Sequence, residues 1–83
     1  MKLRMYSIYD TAAKMYQRPF CAGQDAEAIR AFEDLAKDES HPINHHPEHY
    51  SLHRIADYDD STGSIEDQIN ENLITAMQFK ESQ

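Results

Sequence analysis

From Lys2 to Tyr9 the chain alternates, with Leu3, Met5, Ser7 and Tyr9 on one parity and Lys2, Arg4, Tyr6 and Ile8 on the other. A period of two over β-forming residues predicts a strand. Asp10-Thr11-Ala12 reads as a turn, and the alternation resumes over Lys14 to Cys21, with Met15, Gln17, Pro19 and Cys21 opposing Lys14, Tyr16, Arg18 and Phe20. This predicts a second strand and so a hairpin over residues 1–22, with Pro19 at an edge or a strand end because it has no N–H to donate to a ladder. Register decides what each face carries, since a slip of one residue exchanges the faces of one strand relative to the other. Pairing Asp10 with Lys14 across a three-residue loop collects Leu3, Met5, Tyr9, Met15 and Cys21 on an apolar face. It leaves Lys2, Arg4, Tyr6, Ile8, Lys14, Tyr16, Arg18 and Phe20 on the opposite one.

Gly23 ends that strand, and Asp25 is a suitable N-cap for a helix over 25–38. Ala28, Ile29, Phe32, Leu35 and Ala36 recur at helical spacing as an apolar stripe, while Arg30, Glu33, Asp34 and Lys37 take the wet side. Pro42 and Pro47 make 39–49 a histidine- and proline-rich loop with room for one helical turn after Pro47. A second hairpin is predicted over 50–69, turning at Asp59-Asp60-Ser61-Thr62-Gly63 with glycine where a positive φ is needed. Leu73, Thr75, Met77 and Phe79 alternate, so 73–79 is a last strand or a short helix, and the polar residues 80–83 are expected to fray. The expected fold is a single α+β domain over 1–83. Its antiparallel sheet has four to five strands in the order β-β-α-β-β, with a further strand if 73–79 extends, and one helix covers one face.

Composition narrows the setting. A chain of 83 residues builds only a thin core, so stability is marginal or shared with a second copy. The single Cys21 cannot form an internal disulfide, which fits a reducing compartment, and no segment nears the roughly 20 apolar residues of a membrane helix. The net charge of −7 argues against a uniformly cationic nucleic-acid binder, but its distribution is uneven. Residues 1–18 hold Lys2, Arg4, Lys14 and Arg18 against Asp10 alone, whereas the remainder is strongly acidic.

All five histidines fall between His41 and His53. Of these, His45, His46 and His49 come nearest to a ligand set, but the prolines oppose a continuous helix and no cysteine or H-E-x-x-H pattern accompanies them. The segment reads as a connector, with no metal and no cofactor expected. The chain has two glycines, no nucleophile elbow and no phosphate-binding loop, so no enzyme activity is expected. What remains is the cationic and aromatic hairpin face. Lys2, Arg4, Lys14 and Arg18 would contact phosphates, Tyr6, Tyr16 and Phe20 would stack on unpaired bases, and Arg54 and Tyr58 would extend the face if their parity agrees. The same face could equally bury itself against a second copy or another protein, where tyrosine and arginine are also enriched.

MKLRMYSIYD, Pro19-Phe20, EAIRAF at Glu27 to Phe32, His41-Pro42, HPEHY at His46 to Tyr50 and Asp59-Asp60, taken in order, resemble the small nonstructural protein of gokushovirus-type microviruses, which are single-stranded DNA phages. HPEDY is the commoner form in that family, so His49 stands where an aspartate is usual, and Cys21 stands where an aromatic residue is frequent. The resemblance implies a protein made in the infected bacterium's cytoplasm and absent from the virion. It also implies a role in genome replication or packaging with single-stranded DNA contact, and supplies no catalytic residues. The combined expectation is a homodimer that binds single-stranded DNA through the first hairpin. A protein–protein adaptor for a phage or host partner, using the same face, is the alternative.

Overall fold

A computed structural model describes residues 1–81. It is an α+β fold with one open antiparallel sheet and short helices gathered on one side. The two long strands, β1 (Lys2–Asp10) and β4 (Tyr50–Asp59), pair antiparallel along their whole length and form the centre of the sheet. Each is flanked by a broken edge. β2 (Met15–Tyr16) and β3 (Phe20–Ala22) follow one another along β1, and β5 (Ser64–Glu66) and β6 (Glu71–Thr75) follow one another along β4. Six strands stand where four or five were expected, because the possible last strand forms as β6 and the strand expected over Lys14 to Cys21 is split into β2 and β3. One interruption lies at residues 17–19, where Pro19 cannot donate. The other follows Asp67, whose φ of 48° turns the chain away before the Ile69 N–H returns to the Ile55 carbonyl at 2.9 Å.

Helix α1 (Asp25–Lys37) closely matches its predicted span. Its N-cap, however, is Gln24 without a side-chain bond, and Asp25 is the first helical residue, free to engage the sheet. The segment expected to be a loop contains a short helix, α2 (Pro42–His45), which ends before Pro47. Pro42 occupies its first turn, where no N–H is missed, and His41 caps it by accepting from the Ile43 N–H at 3.2 Å. The helical turn expected after Pro47 is present as a 3-10 turn, Pro47–His49. Residues 73–79 divide between the end of β6 and α3 (Met77–Glu81). Lys80 and Glu81 thus continue a helix, while the rest of the tail expected to fray lies outside the described residues.

Buried Ala28, Phe32 and Ala36 of α1 pack on Tyr6, Ile8 and Leu52 of the sheet, with Ile43 of α2 and Ala76 and Phe79 of the C-terminal segment completing the core. The Phe32 and Phe79 rings meet edge to face with centroids 5.9 Å apart. No helix among the described residues is long and apolar enough to cross a membrane.

The faces of β1 are exchanged relative to expectation. Tyr6 (0% exposed) and Ile8 point into the helix layer, and Leu3, Met5, Ser7 and Tyr9 take the other side. The physical reason is that the Lys2-Arg4-Tyr6-Ile8 parity is charged only at its start. The helix layer covers its apolar half, while Lys2 and Arg4 lie at the rim, where acidic partners meet them. The hairpin register also differs. Asp10 pairs with Met15 and Tyr9 with Tyr16 across a four-residue loop. Asp10 Oδ1 accepts from the Ala12 and Ala13 N–H groups at 2.9 and 3.2 Å, and Lys14 adopts φ 57°.

Candidate nucleic-acid interface

On the helix-covered side, the predicted cations are already engaged. Lys2 Nζ lies 2.9 Å from Glu66, Arg4 Nη1 3.0 Å from Asp25, and Arg54 Nη2 donates to Glu71 at 2.9 Å. Tyr6 cannot stack on a base, because its ring is enclosed in the core and its hydroxyl donates to Asp25 Oδ1 at 2.7 Å. Burial, reinforced by that hydrogen bond, pushes its phenol well above the ordinary tyrosine pKa. For Asp25, burial alone would raise the pKa. The hydrogen bonds from Tyr6 and Arg4 with the Arg4 charge outweigh it and hold the carboxyl below the usual aspartate range. Phe20 also belongs to this side, half-buried with its ring centroid 5.7 Å from that of Tyr6.

Of the eight predicted contact residues, Lys14, Tyr16 and Arg18 remain available together. All three are exposed, and neither cation has an ion pair among the described residues. The insertion at residues 17–19 separates the partners of the original grouping. Tyr16 opposes Tyr9 on the open side, whereas Phe20 opposes Tyr6 on the helix side. Arg54 likewise opposes Tyr6, and Tyr58 opposes Leu3, so they fall on different faces.

The open face carries a ring cluster that parity reasoning had not assembled. The Tyr9 and Tyr16 centroids are 4.5 Å apart at 47°, and the His53 ring stands edge-on to Tyr16 at 5.6 Å and to Tyr9 at 6.1 Å. Hydrogen bonds fix these rings. His53 Nδ1 and Asn70 Oδ1 are 2.6 Å apart, Asn70 Nδ2 donates to the Tyr16 hydroxyl at 2.7 Å, and His53 Nε2 and Ser51 Oγ are 2.8 Å apart. Asn70 thus ties one edge of the sheet to the other, holding Tyr16 while leaving it 45% exposed. Beside Tyr16 lies a depression of about 250 Å³ lined by Ser7, Tyr16, Gln17, Pro19, Ile55 and Asn70. Ser7 Oγ donates to the Gln17 carbonyl at 2.6 Å, which pins the interrupted edge over β1. Tyr9 and His53 could have been found from sequence only with the correct register, and Asn70 leaves no periodic signal.

The histidines separate. His41 is a helix cap and His53 belongs to the open face, while His45 is exposed on α2. His46 and His49 come together with Glu48, their rings stacked with centroids 5.5 Å apart.

Fold and site thus define a small open-sheet module with one covered face whose cations are paired and one exposed face built on fixed aromatic rings. Over residues 3–79 the chain matches the family model described as Phage ORF5 protein, and it belongs to that family of phage proteins. No curated protein and no solved structure matches it.

Proposed function

We propose that this phage accessory protein binds single-stranded DNA during genome replication or packaging, through the open face around Tyr16. The observation that carries the reading is one half-exposed ring, held by Tyr9 and Asn70 and flanked in the chain by the exposed cations Lys14 and Arg18, which have no ion pair among the described residues. Unpaired bases need flat surfaces and phosphates need cations, and a stacked base contributes about 1–3 kcal/mol. The depression has the exposed Gln17 at its wall, a polar side chain within reach of a base edge. The family membership supports the phage setting, and the resemblance to gokushovirus nonstructural proteins implies the contact with single-stranded DNA.

Fluorescence anisotropy with a labelled oligonucleotide at low salt tests it. Tyr16→Ala is expected to weaken binding roughly 5- to 150-fold, the equivalent of one lost stack. Lys14→Ala combined with Arg18→Ala is expected to flatten the dependence of log affinity on log salt by about 1.4, or 0.7 per phosphate contact on a single strand. Binding that ignores both changes sinks the proposal.

A second reading has its own observation. The opposite end of the open face is apolar, with Leu3, Met5 and Tyr58 half-exposed and Ile65 51% exposed. That end suits a protein partner or a second copy, as an adaptor would require. Light scattering with and without oligonucleotide separates the two: a dimer indifferent to DNA favours the adaptor.

A further inference from the structure

The geometry points to a metal site of the zinc class at the 3-10 turn, with His46, Glu48 and His49 as its three protein ligands. Glu48 Oε1 lies 3.7 Å from His46 Nδ1 and 3.8 Å from His49 Nε2, and the three ligand atoms are all within 4.8 Å of one another. Bonds of about 2.0–2.1 Å in tetrahedral geometry place donor atoms roughly 3.3–3.4 Å apart, so small side-chain rotations bring these three onto one ion. Two imidazoles and one carboxylate suit Zn²⁺, Cu²⁺ or Ni²⁺, whereas Ca²⁺ and Mg²⁺ favour all-oxygen shells. Three protein donors leave at least one coordination position for water.

The turn that carries them is fixed before any ion arrives. Pro47 is buried and sets the first φ of the turn, and the His49 N–H donates to the His46 carbonyl at 3.0 Å. The His49 carbonyl accepts from both the N–H and the hydroxyl of Thr11, at 2.8 and 3.2 Å, which anchors the turn to the β1–β2 loop. The rings of His46 and His49 are stacked at 19°, with centroids 5.5 Å apart. His45, one residue from His46, lies outside the cluster because α2 ends between them.

The test is calorimetric titration of untagged, metal-free protein with Zn²⁺ at neutral pH. The expected result is one saturable ion per chain, bound roughly tenfold or more weakly in His46→Ala or His49→Ala. Glu48→Gln is expected to weaken it by a smaller factor and His45→Ala to leave it unchanged. Nuclear magnetic resonance of the unmodified protein gives an independent reading: Zn²⁺ should shift the imidazole signals of His46 and His49 and spare those of His41 and His53. No saturable binding, binding that survives in the doubly substituted His46→Ala, His49→Ala chain, or a loss in His45→Ala equal to that in His49→Ala overturns the assignment. Equal shifts at all five histidines overturn it as well.

Discussion

The two faces of the sheet use similar residues to opposite ends. On the covered face, Arg4, Tyr6 and Asp25 satisfy one another at the point where α1 meets β1, and Lys2 and Arg54 are held by Glu66 and Glu71. On the open face, Tyr9, Tyr16 and His53 are fixed mainly by neutral neighbours, and the adjacent cations Lys14 and Arg18 have no acidic partner among the described residues. A charge counted from sequence is therefore available to a ligand only if the fold leaves it unpaired. The arginine and tyrosine of the covered face spend their polar groups on the join between helix and sheet.

The largest effect should come from breaking the covered face. Phe32 is fully buried, its ring lying between α1 and Phe79 above the Tyr6–Ile8 surface. Truncating such a side chain removes apolar burial and leaves a cavity, at about 3–5 kcal/mol. In a domain of this length that approaches the whole margin of stability. Phe32→Ala should abolish or strongly lower the cooperative urea transition followed by circular dichroism. A transition midpoint close to that of the unmodified protein would mean that the helix layer does not carry the fold.

Phe32 was legible from its helical spacing, and so were the long strands, the helix span and the positive φ at Gly63. The faces of β1 were not. Alternation fixes which residues share a side but leaves open which side meets the helix. Lys2 and Arg4 made their parity look solvent-facing, although the apolar half of the same parity, Tyr6 and Ile8, determined the packing. The break at residues 17–19 then moved Tyr16 and Phe20 to different sides, and three of the predicted contact residues, Arg4, Tyr6 and Phe20, became parts of the helix–sheet join or the core. Glu48 escaped notice for a related reason. A 3-10 turn brings residues two and three apart together, which neither a helix wheel nor a strand pattern would score.

An intermediate effect is expected where the covered face keeps its ring but loses its polar join. Tyr6→Phe removes the hydroxyl that donates to Asp25, a partly buried hydrogen bond to a charged group worth about 1–2 kcal/mol. Its pH signature has a definite sign. The folded pKa of Tyr6 is raised, so its contribution is complete below the unfolded value of about 10 and is lost as pH rises from there toward the folded value. The folded pKa of Asp25 is lowered, so its contribution is present above about pH 4 and is lost as pH falls through the folded value. Urea midpoints measured across pH should therefore fall less steeply at both extremes in Tyr6→Phe than in the unmodified chain. Tyr50, also raised by burial, would retain part of the alkaline limb. Unchanged limbs would show that the Tyr6–Asp25 bond is not formed in solution.

The smallest effect, and the sharpest for the comparison, belongs to Arg4. From sequence it is a phosphate contact. In the fold it pairs with Asp25 at 3.0 Å, on the face that carries the helix. Its side chain is 42% exposed, and a screened pair of this kind adds little to stability, so Arg4→Ala should move the urea midpoint only slightly. Oligonucleotide affinity measured by anisotropy should stay the same within error, because removing one member of a neutralised pair takes no free cation from the open face. The substitution even leaves Asp25 less compensated, so any change in affinity from long-range charge is a weak reduction that disappears as salt is raised. A loss comparable to that of Tyr16→Ala, persisting at higher salt, would mean that the ligand opens the Arg4–Asp25 pair and crosses the edge of the sheet, and the division of labour between the faces would fail.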